Sequence, residues 1–199
     1  MPSSLVDELP RALPEHRMLV LTRAGIRAPP RPGLPPGALV PMAASEAGQH
    51  GHILAALLSN GGVAHLERPT LANPLAVRAA ASRTVVGRAH PPCYRHEFPA
   101  SGASPTRSVP AKLTPVEDVD GVYTVDPHAP GASRPKLVPL ATTADLAAAP
   151  STLPFDRTLL DMLTTARNLR QVQIVNDLVS GNLLHALRGE HVGTIVRAT

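Results

Sequence analysis

Aromatic side chains are almost absent from this chain, and their scarcity limits the kind of core that it can form. The 199 residues include two Phe, two Tyr and no Trp, although 43% of them are hydrophobic. The core must therefore be filled by Leu, Val, Ile and Ala, which suits helices packed closely on a sheet better than an aromatic-rich β-sandwich. A chain of this length can bury a sizeable core in one domain, although length alone also allows two small lobes. We therefore predict a single α/β domain.

Short apolar runs alternate with segments at helical spacing, which favours a mostly parallel sheet. Strands are predicted at 18–21, 63–66, 84–86, 172–175 and 192–196, and helices at 3–13, 43–58, 73–81, 143–148, 157–169 and 181–187. No regular element is expected between Ala28 and Pro41, because Pro removes a backbone donor and fixes φ. A Pro- and Ser-rich linker at 99–115 separates an N-terminal half, 1–98, from a C-terminal half, 116–199.

Charge and cysteine content restrict the partners and the compartment. The net charge of +4 comes mostly from Arg, which binds oxyanions through two parallel hydrogen bonds. Because the charge is spread along the chain and no aromatic residues are interleaved with it, anionic small molecules are better candidates than nucleic acid. The single cysteine, Cys93, cannot form an internal disulfide, and no apolar run approaches the about 20 residues of a membrane span. We expect a cytoplasmic protein without a membrane segment.

The run from Asp120 to Pro127, DGVYTVDP, is followed by four ordered motifs. These are LDMLTTAR at 160–167, VQIVN at 172–176, GNL at 181–183 and GEHVGTI at 189–195. Together they resemble the nucleotide-contacting hairpin and the closing helix, strand, helix and strand of the amino-acid-kinase superfamily, which includes bacterial uridylate kinase. The resemblance implies a three-layer α/β/α fold with a mostly parallel sheet, incomplete at the N-terminus, and a site for ATP with Mg²⁺.

Nucleotide-binding candidates follow from that resemblance and from side-chain chemistry. Tyr123 on the hairpin can lie against a purine, and Asp126, followed by Pro127, can hold ribose hydroxyls through its two carboxylate oxygens. Gly25 ends a turn after the first predicted strand, where open parallel sheets place their ligands. Without the downstream motifs, an ordinary Asp-Gly hairpin would explain the same residues.

Longer local matches narrow the resemblance within the superfamily to the molybdenum storage proteins, and to their alpha subunit in particular. The matching segments are LPEHR at 13–17, AASEAG at 43–48, GHILAA at 51–56, HEFP at 96–99 and ALRGEHVGT at 186–194. In that family two kinds of homologous subunit form a hexameric cage that binds ATP with magnesium and uses ATP hydrolysis to load polyoxomolybdate. The resemblance therefore implies molybdate or polyoxomolybdate as cargo and alpha- or beta-like subunits as partners.

Cargo ligands are also implied by the family alignment. Glu67, His90 and His96 are the expected metal ligands on the cargo loops, and Arg68, Arg78 and Arg95 are the expected oxyanion-binding residues. Arg68, Arg78 and Arg95 stand where the family has histidine. Because Arg cannot coordinate a metal as neutral imidazole does, we expect these three residues to retain polyanions through charge and hydrogen bonds.

Departures from the family argue against a working kinase. A Lys followed by paired glycines has no counterpart before Met1, and Arg23 stands where the family has a phosphate-facing Gly. Three interpretations therefore stay open: a storage subunit with residual ATP binding or hydrolysis, a uridylate-kinase-like phosphotransferase acting on a nucleoside monophosphate, and a non-functional remnant of either. Zinc is a weaker possibility, because His50-Gly-His52 and Cys93-x-x-His96 are each incomplete ligand sets.

Overall fold

The computed structural model describes residues 3–16, 18–22, 36–63, 85–88, 113–127, 134–149, 153–155, 157–166 and 169–199. The chain divides into two compact units. The N-terminal unit comprises residues 9–98, and the C-terminal unit comprises residues 99–199 together with residues 1–8. The first helix, α1 (Ser3–Ala12), begins in the C-terminal unit and ends in the N-terminal unit.

The N-terminal unit contains a parallel strand pair and a long helix. Strand β1 (Leu19–Thr22) pairs with β2 (Val85–Arg88), and α2 (Pro36–Asn60) packs against both strands. The buried face of α2 carries Ala47, Leu54 and Leu58, which recur at helical spacing. The Thr22 hydroxyl donates to the Ala47 carbonyl at 2.7 Å and so connects β1 to α2.

The prediction that no regular element runs from Ala28 to Pro41 is wrong for residues 36–41, where the first turn and a half of α2 is helical. Pro36 occupies the first position of the helix, where its missing N–H has no intrahelical acceptor to lose. Pro41 lies one turn further along, and the carbonyl that it would contact belongs to Gly37. At its other end α2 ends at Asn60, and Gly62, two residues later, has a φ of 85° that suits a left-handed cap.

The C-terminal unit is built on a four-stranded sheet in the order β3-β5-β6-β4. The strands are β3 (Val116–Glu117), β4 (Leu140–Thr142), β5 (Gln171–Asn176) and β6 (Thr194–Arg197). The β3–β5 and β4–β6 pairs are parallel, and only the central β5–β6 pair is antiparallel. The predicted α/β class with a mostly parallel sheet is confirmed.

Three short helices complete this unit: α3 (Thr143–Ala148), α4 (Thr158–Thr165) and α5 (Asn182–Leu187). The core is aliphatic, with Val172, Ile174 and Val196 from the sheet packed among leucines such as Leu163. Phe155 is the one aromatic side chain in this core cluster, which agrees with the expectation of a mainly aliphatic core. Helix α3 begins with a capping box in which Thr142 and Asp145 each bond the other's backbone N–H.

Several predicted elements lie outside the described residues. These are the helix at 73–81, the loop at 90–98, nearly all of the strand at 63–66 and most of the linker at 99–115. Among the described residues, no helix combines the length and apolar character that crossing a bilayer requires.

Candidate functional site

A β-hairpin between β3 and β4 carries the predicted nucleotide residues. The backbone N–H of Val138 donates to Val122 at 2.8 Å, and that of Thr124 donates to Lys136 at 3.0 Å, so Tyr123 pairs with Leu137. A hairpin therefore follows the Asp-Gly turn signal. Its second strand lies at 136–138, more than ten residues beyond that signal. Tyr123 and Asp126 are half-buried, and Pro127 is exposed.

The base of the hairpin is fixed by a buried threonine and two glycines. The Thr194 hydroxyl, with no exposed surface, accepts from the Val122 N–H at 2.9 Å and donates to the Val138 carbonyl at 2.7 Å. Gly121 has a φ of 145°, and a Cβ there would overlap the Thr194 side chain. Gly193 has a φ of 68°, and a Cβ there would overlap the Ile174 carbonyl. Both positions require glycine for two reasons: the backbone has a positive φ, and neighbouring atoms leave no room for a Cβ.

Asp120 connects the hairpin to the end of strand β5. Its Oδ1 accepts from the side-chain amide of Asn176 at 2.8 Å, and its Oδ2 accepts from the Tyr123 hydroxyl at 3.0 Å. Burial raises the pKa of Tyr123, and the hydrogen bond to Asp120 and the charge of that carboxylate raise it further. Tyr123 is therefore a neutral phenol whose hydroxyl donates to Asp120 at neutral pH.

Acidic residues gather at the carboxyl ends of the parallel strands β3 and β5. Asp118 follows β3, and Asp177 follows β5. The pKa of Asp177 is raised, first by burial and then by the charge of Asp118. This is the edge where parallel sheets place polar ligands, but within the described ranges no group of three or more His, Cys, Asp and Glu could hold a metal ion.

Glu8 is a buried carboxylate that the sequence analysis did not single out. It is 3% exposed and accepts from the backbone N–H groups of Gly181 at 2.7 Å and Leu184 at 3.1 Å. These groups belong to the start of α5, which has no side-chain cap of its own. The Ser4 hydroxyl donates to the Asp177 carbonyl, so α1 holds the 177–184 segment at both ends.

All of the predicted cargo residues, and one of the predicted nucleotide residues, lie outside the part of the chain that the structure describes. Gly25, Glu67, Arg68, Arg78, His90, Arg95 and His96 lie outside the described residues, as does Cys93. Of the two zinc motifs, only His50 and His52 are described, and both lie on α2. The structure thus brings together Tyr123 and Asp120 on one hairpin and leaves the cargo ligands as predictions.

Asp120, Asn176 and Glu8 are the residues that sequence reasoning missed. Asp120 and Asn176 were part of the motifs but were not assigned a role. Glu8 did carry a signal, because it lies three residues after Leu5 and beside Leu9, on the apolar face of α1. A charged residue on the buried face of a helix needs hydrogen bonds or an opposite charge to offset its burial. This need is the signal by which Glu8 could have been found from the sequence.

Solved structures similar to this chain define its fold. The uridylate kinase from Archaeoglobus fulgidus has a TM-score of 0.66 over 97% of this chain and 90% of its own, at 11% identity. The UMP kinase from Ureaplasma parvum has a TM-score of 0.65 over 98% of this chain and 85% of its own, at 14% identity. The UMP kinase from Bacillus anthracis has a TM-score of 0.53 over 78% and 67%, at 16% identity. The chain therefore has the fold of these uridylate kinases.

Sequence comparison identifies a narrower group. The beta subunit of the molybdenum storage protein of Azotobacter vinelandii (strain DJ / ATCC BAA-1303) is 34% identical over 218 aligned positions, which cover 98% of this chain and 78% of that subunit. This chain belongs to the molybdenum storage protein family. No protein-family profile matches it. The closer resemblance to the alpha subunit stays a prediction.

Proposed function

We propose that this chain is a molybdenum storage subunit that holds polyoxomolybdate and binds ATP with Mg²⁺ at the 120–127 hairpin. The observation that carries the proposal is the 34% identity to a molybdenum storage protein subunit across 98% of the chain. We further propose that it assembles with homologous alpha- or beta-like subunits, because the similar protein is itself named as a subunit. We also propose that it is cytoplasmic, because a single cysteine suits a reducing compartment.

The hairpin geometry supports the nucleotide part of the proposal. The Tyr123 hydroxyl donates to Asp120, which orients the ring, and a tyrosine ring is a side chain that can stack on a base. Asp126 lies on the same hairpin, three residues along, and carboxylates bind paired ribose hydroxyls well. Gly25 and Pro127 are the further contacts in this proposal.

For the cargo, Glu67, His90 and His96 are the proposed ligands to molybdenum, and Arg68, Arg78 and Arg95 are the proposed electrostatic contacts. A polyoxomolybdate surface consists of oxyanions, which guanidinium groups bind through planar pairs of hydrogen bonds. Magnesium would be held mainly by the nucleotide phosphates and water, since Mg²⁺ keeps several waters in such sites.

A loading experiment tests the storage function. Purified protein, alone and with a homologous partner subunit, is incubated with molybdate and Mg-ATP and separated by size, and molybdenum is measured in each fraction. We expect molybdenum to co-elute with a multimer, to require Mg-ATP, and to fall in His96→Ala. His191→Ala is the matched control because His191 is exposed and bonds the Pro139 carbonyl. A folded multimer that retains no molybdenum would overturn the proposal.

Phosphoryl transfer to a nucleoside monophosphate is the second candidate, favoured by the fold shared with uridylate kinases. It is distinguished by ADP release that depends on added UMP. We expect no UMP-dependent ADP release, because Arg23 stands where the family has a phosphate-facing glycine, and the side chain would crowd that close approach. UMP-dependent turnover would replace the storage proposal with the enzymatic one.

A further inference from the structure

Glu8 lies far along the chain from the nucleotide hairpin, yet the two are connected by consecutive contacts. The first step is the pair of bonds from the Gly181 and Leu184 N–H groups to the Glu8 carboxylate, at 2.7 and 3.1 Å. Burying a carboxylate is costly unless hydrogen bonds replace its hydration. The start of a helix supplies both free N–H donors and a positive dipole end, so Glu8 fixes the position of the first turn of α5.

The second step leads from α5 to strand β5. Asn182 lies between the two donors to Glu8, and its side-chain amide donates to the Asn176 carbonyl at 3.1 Å. The Asn176 side chain in turn accepts from the Leu178 N–H at 2.8 Å, which leaves its amide nitrogen directed at Asp120. The segment between β5 and α5 is therefore held in one conformation from both ends.

The third step reaches the hairpin. Asn176 Nδ2 donates to Asp120 Oδ1 at 2.8 Å, while Asp120 Oδ2 accepts from the Tyr123 hydroxyl at 3.0 Å. Asn176 thus orients the Asp120 carboxylate through one oxygen, and the other oxygen accepts from the Tyr123 hydroxyl. The phenol is the last member of a chain that begins at Glu8.

We propose that Glu8 is a positioning residue for Tyr123, acting through the first turn of α5, Asn176 and Asp120. The functional consequence is that removing the Glu8 carboxylate weakens Mg-ATP binding. This consequence rests on the proposed function. The structural part of the inference, the orientation of Tyr123, can be measured without any nucleotide.

A helix cap alone would produce a different result. If Glu8 only stabilised α5, its replacement would lower the midpoint of unfolding and leave the environment of the folded Tyr123 ring unchanged. If it positions the hairpin, Tyr123 changes in the folded state. The readout must therefore come from native protein, below the unfolding transition.

The chain offers an unusually simple probe, because it has two Tyr and no Trp. In a Tyr94→Phe background, the ring NMR signals and the phenol titration report Tyr123 alone. The variants are Glu8→Gln, Glu8→Ala and Asn182→Ala, with Asp120→Asn as the positive control. Asp7→Asn is the matched negative control, since Asp7 is an exposed acid one residue earlier on α1. Mg-ATP affinity is measured on the same proteins by calorimetry.

We expect Glu8→Ala and Asn182→Ala to shift the Tyr123 ring signals in the same direction as Asp120→Asn and to lower its phenol pKa toward 10.0. We expect Glu8→Gln to shift them less, because its amide oxygen can still accept. Mg-ATP affinity should fall about fivefold or more in Glu8→Ala, a coupling typical of linked sites, and stay unchanged in Asp7→Asn.

The outcomes separate the two proposals. Unshifted Tyr123 signals in folded Glu8→Ala and Asn182→Ala would overturn the positioning role, whatever the nucleotide result. If Glu8→Ala does not fold, Asn182→Ala and Glu8→Gln decide the question. If the unmodified protein binds no Mg-ATP while Tyr123 still responds to Glu8, the nucleotide proposal fails and the structural inference stands.

Discussion

In the N-terminal unit the long helix α2 is apolar on two faces, whereas in the C-terminal unit polar side chains fix the segments at the strand ends. Leu54 and Leu58 of α2 are buried, but Met42 and Ile53 on the opposite face are 49% and 50% exposed. In the C-terminal unit, Thr194, Asn176 and Glu8 bond backbone groups in loops and helix starts. Helix α2 thus presents apolar side chains on two faces, whereas hydrogen-bond geometry determines the candidate site of the C-terminal unit, which also has an aliphatic core of its own.

The largest effect is expected at Gly193. In Gly193→Ala the new Cβ would overlap the Ile174 carbonyl at a φ of 68°, so the C-terminal unit should lose on the order of 4 kcal/mol of unfolding free energy. Gly189→Ala is the control: its φ is 92°, but no atom lies within 4 Å of the new Cβ. It should cost only about 1 kcal/mol from backbone strain. Urea unfolding monitored by circular dichroism measures both; similar losses would refute the role of close packing.

The second largest loss of unfolding free energy is expected from shortening a side chain on the buried face of α2. Leu54 is 1% exposed, so Leu54→Ala should destabilise the N-terminal unit by roughly 3 kcal/mol through lost burial and the cavity left behind. Leu57→Ala, three residues further on at 36% exposure, should cost less than about 1 kcal/mol. Thermal unfolding of the two variants provides the comparison. Equal destabilisation would mean that the outer face of α2 is as important to stability as the inner one.

Thr194 tests the hydrogen bonds at the base of the hairpin. Thr194→Val keeps the shape but removes the acceptor for Val122 and the donor to Val138, which should cost about 2 kcal/mol. Thr194→Ser should recover part of that loss because it restores the hydroxyl. Thr165→Val is the control, since the exposed Thr165 hydroxyl bonds only its own helix. A Thr194→Val protein as stable as the unmodified one would contradict this account of the hairpin.

The smallest effect is the pH dependence of the α3 cap. Hydrogen bonds from the Thr142 side chain and backbone lower the pKa of Asp145 below its ordinary value of 3.8. The stabilisation is fully present above that unfolded value and is lost as the pH falls through the folded pKa, below about pH 4. Asp145→Asn should remove this acid-dependent part, whereas Asp161→Asn, an exposed acid in the first turn of α4, should preserve it. NMR titration of the Thr142 amide supplies the measurement, and a pH-independent signal would exclude the capping role.

Sequence patterns predicted most of the helices and strands of the C-terminal unit in their order along the chain, but not its polar contacts. Helix α3 has clear boundaries, and strand β5 contains an apolar run. The structure confirms both predicted elements. Strands β3 and β4 were missed because two and three residues are too short to show a period. The bond from Glu8 to Gly181 joins residues 173 positions apart, which no local pattern encodes. Tyr123 was found through its motif, but its partner Asp120 required the geometry of the hairpin.

The proposed function depends on binding of ATP with Mg²⁺ at the 120–127 hairpin of the C-terminal unit. Isothermal calorimetry of Mg-ATP with the unmodified protein, Asp126→Asn and the distant control Asp161→Asn tests it most directly. The account predicts saturable binding that Asp126→Asn weakens about tenfold or more, as expected for a lost charged hydrogen bond, and that Asp161→Asn leaves unchanged. Binding of equal strength to all three proteins, or no binding to the folded unmodified protein, would contradict it.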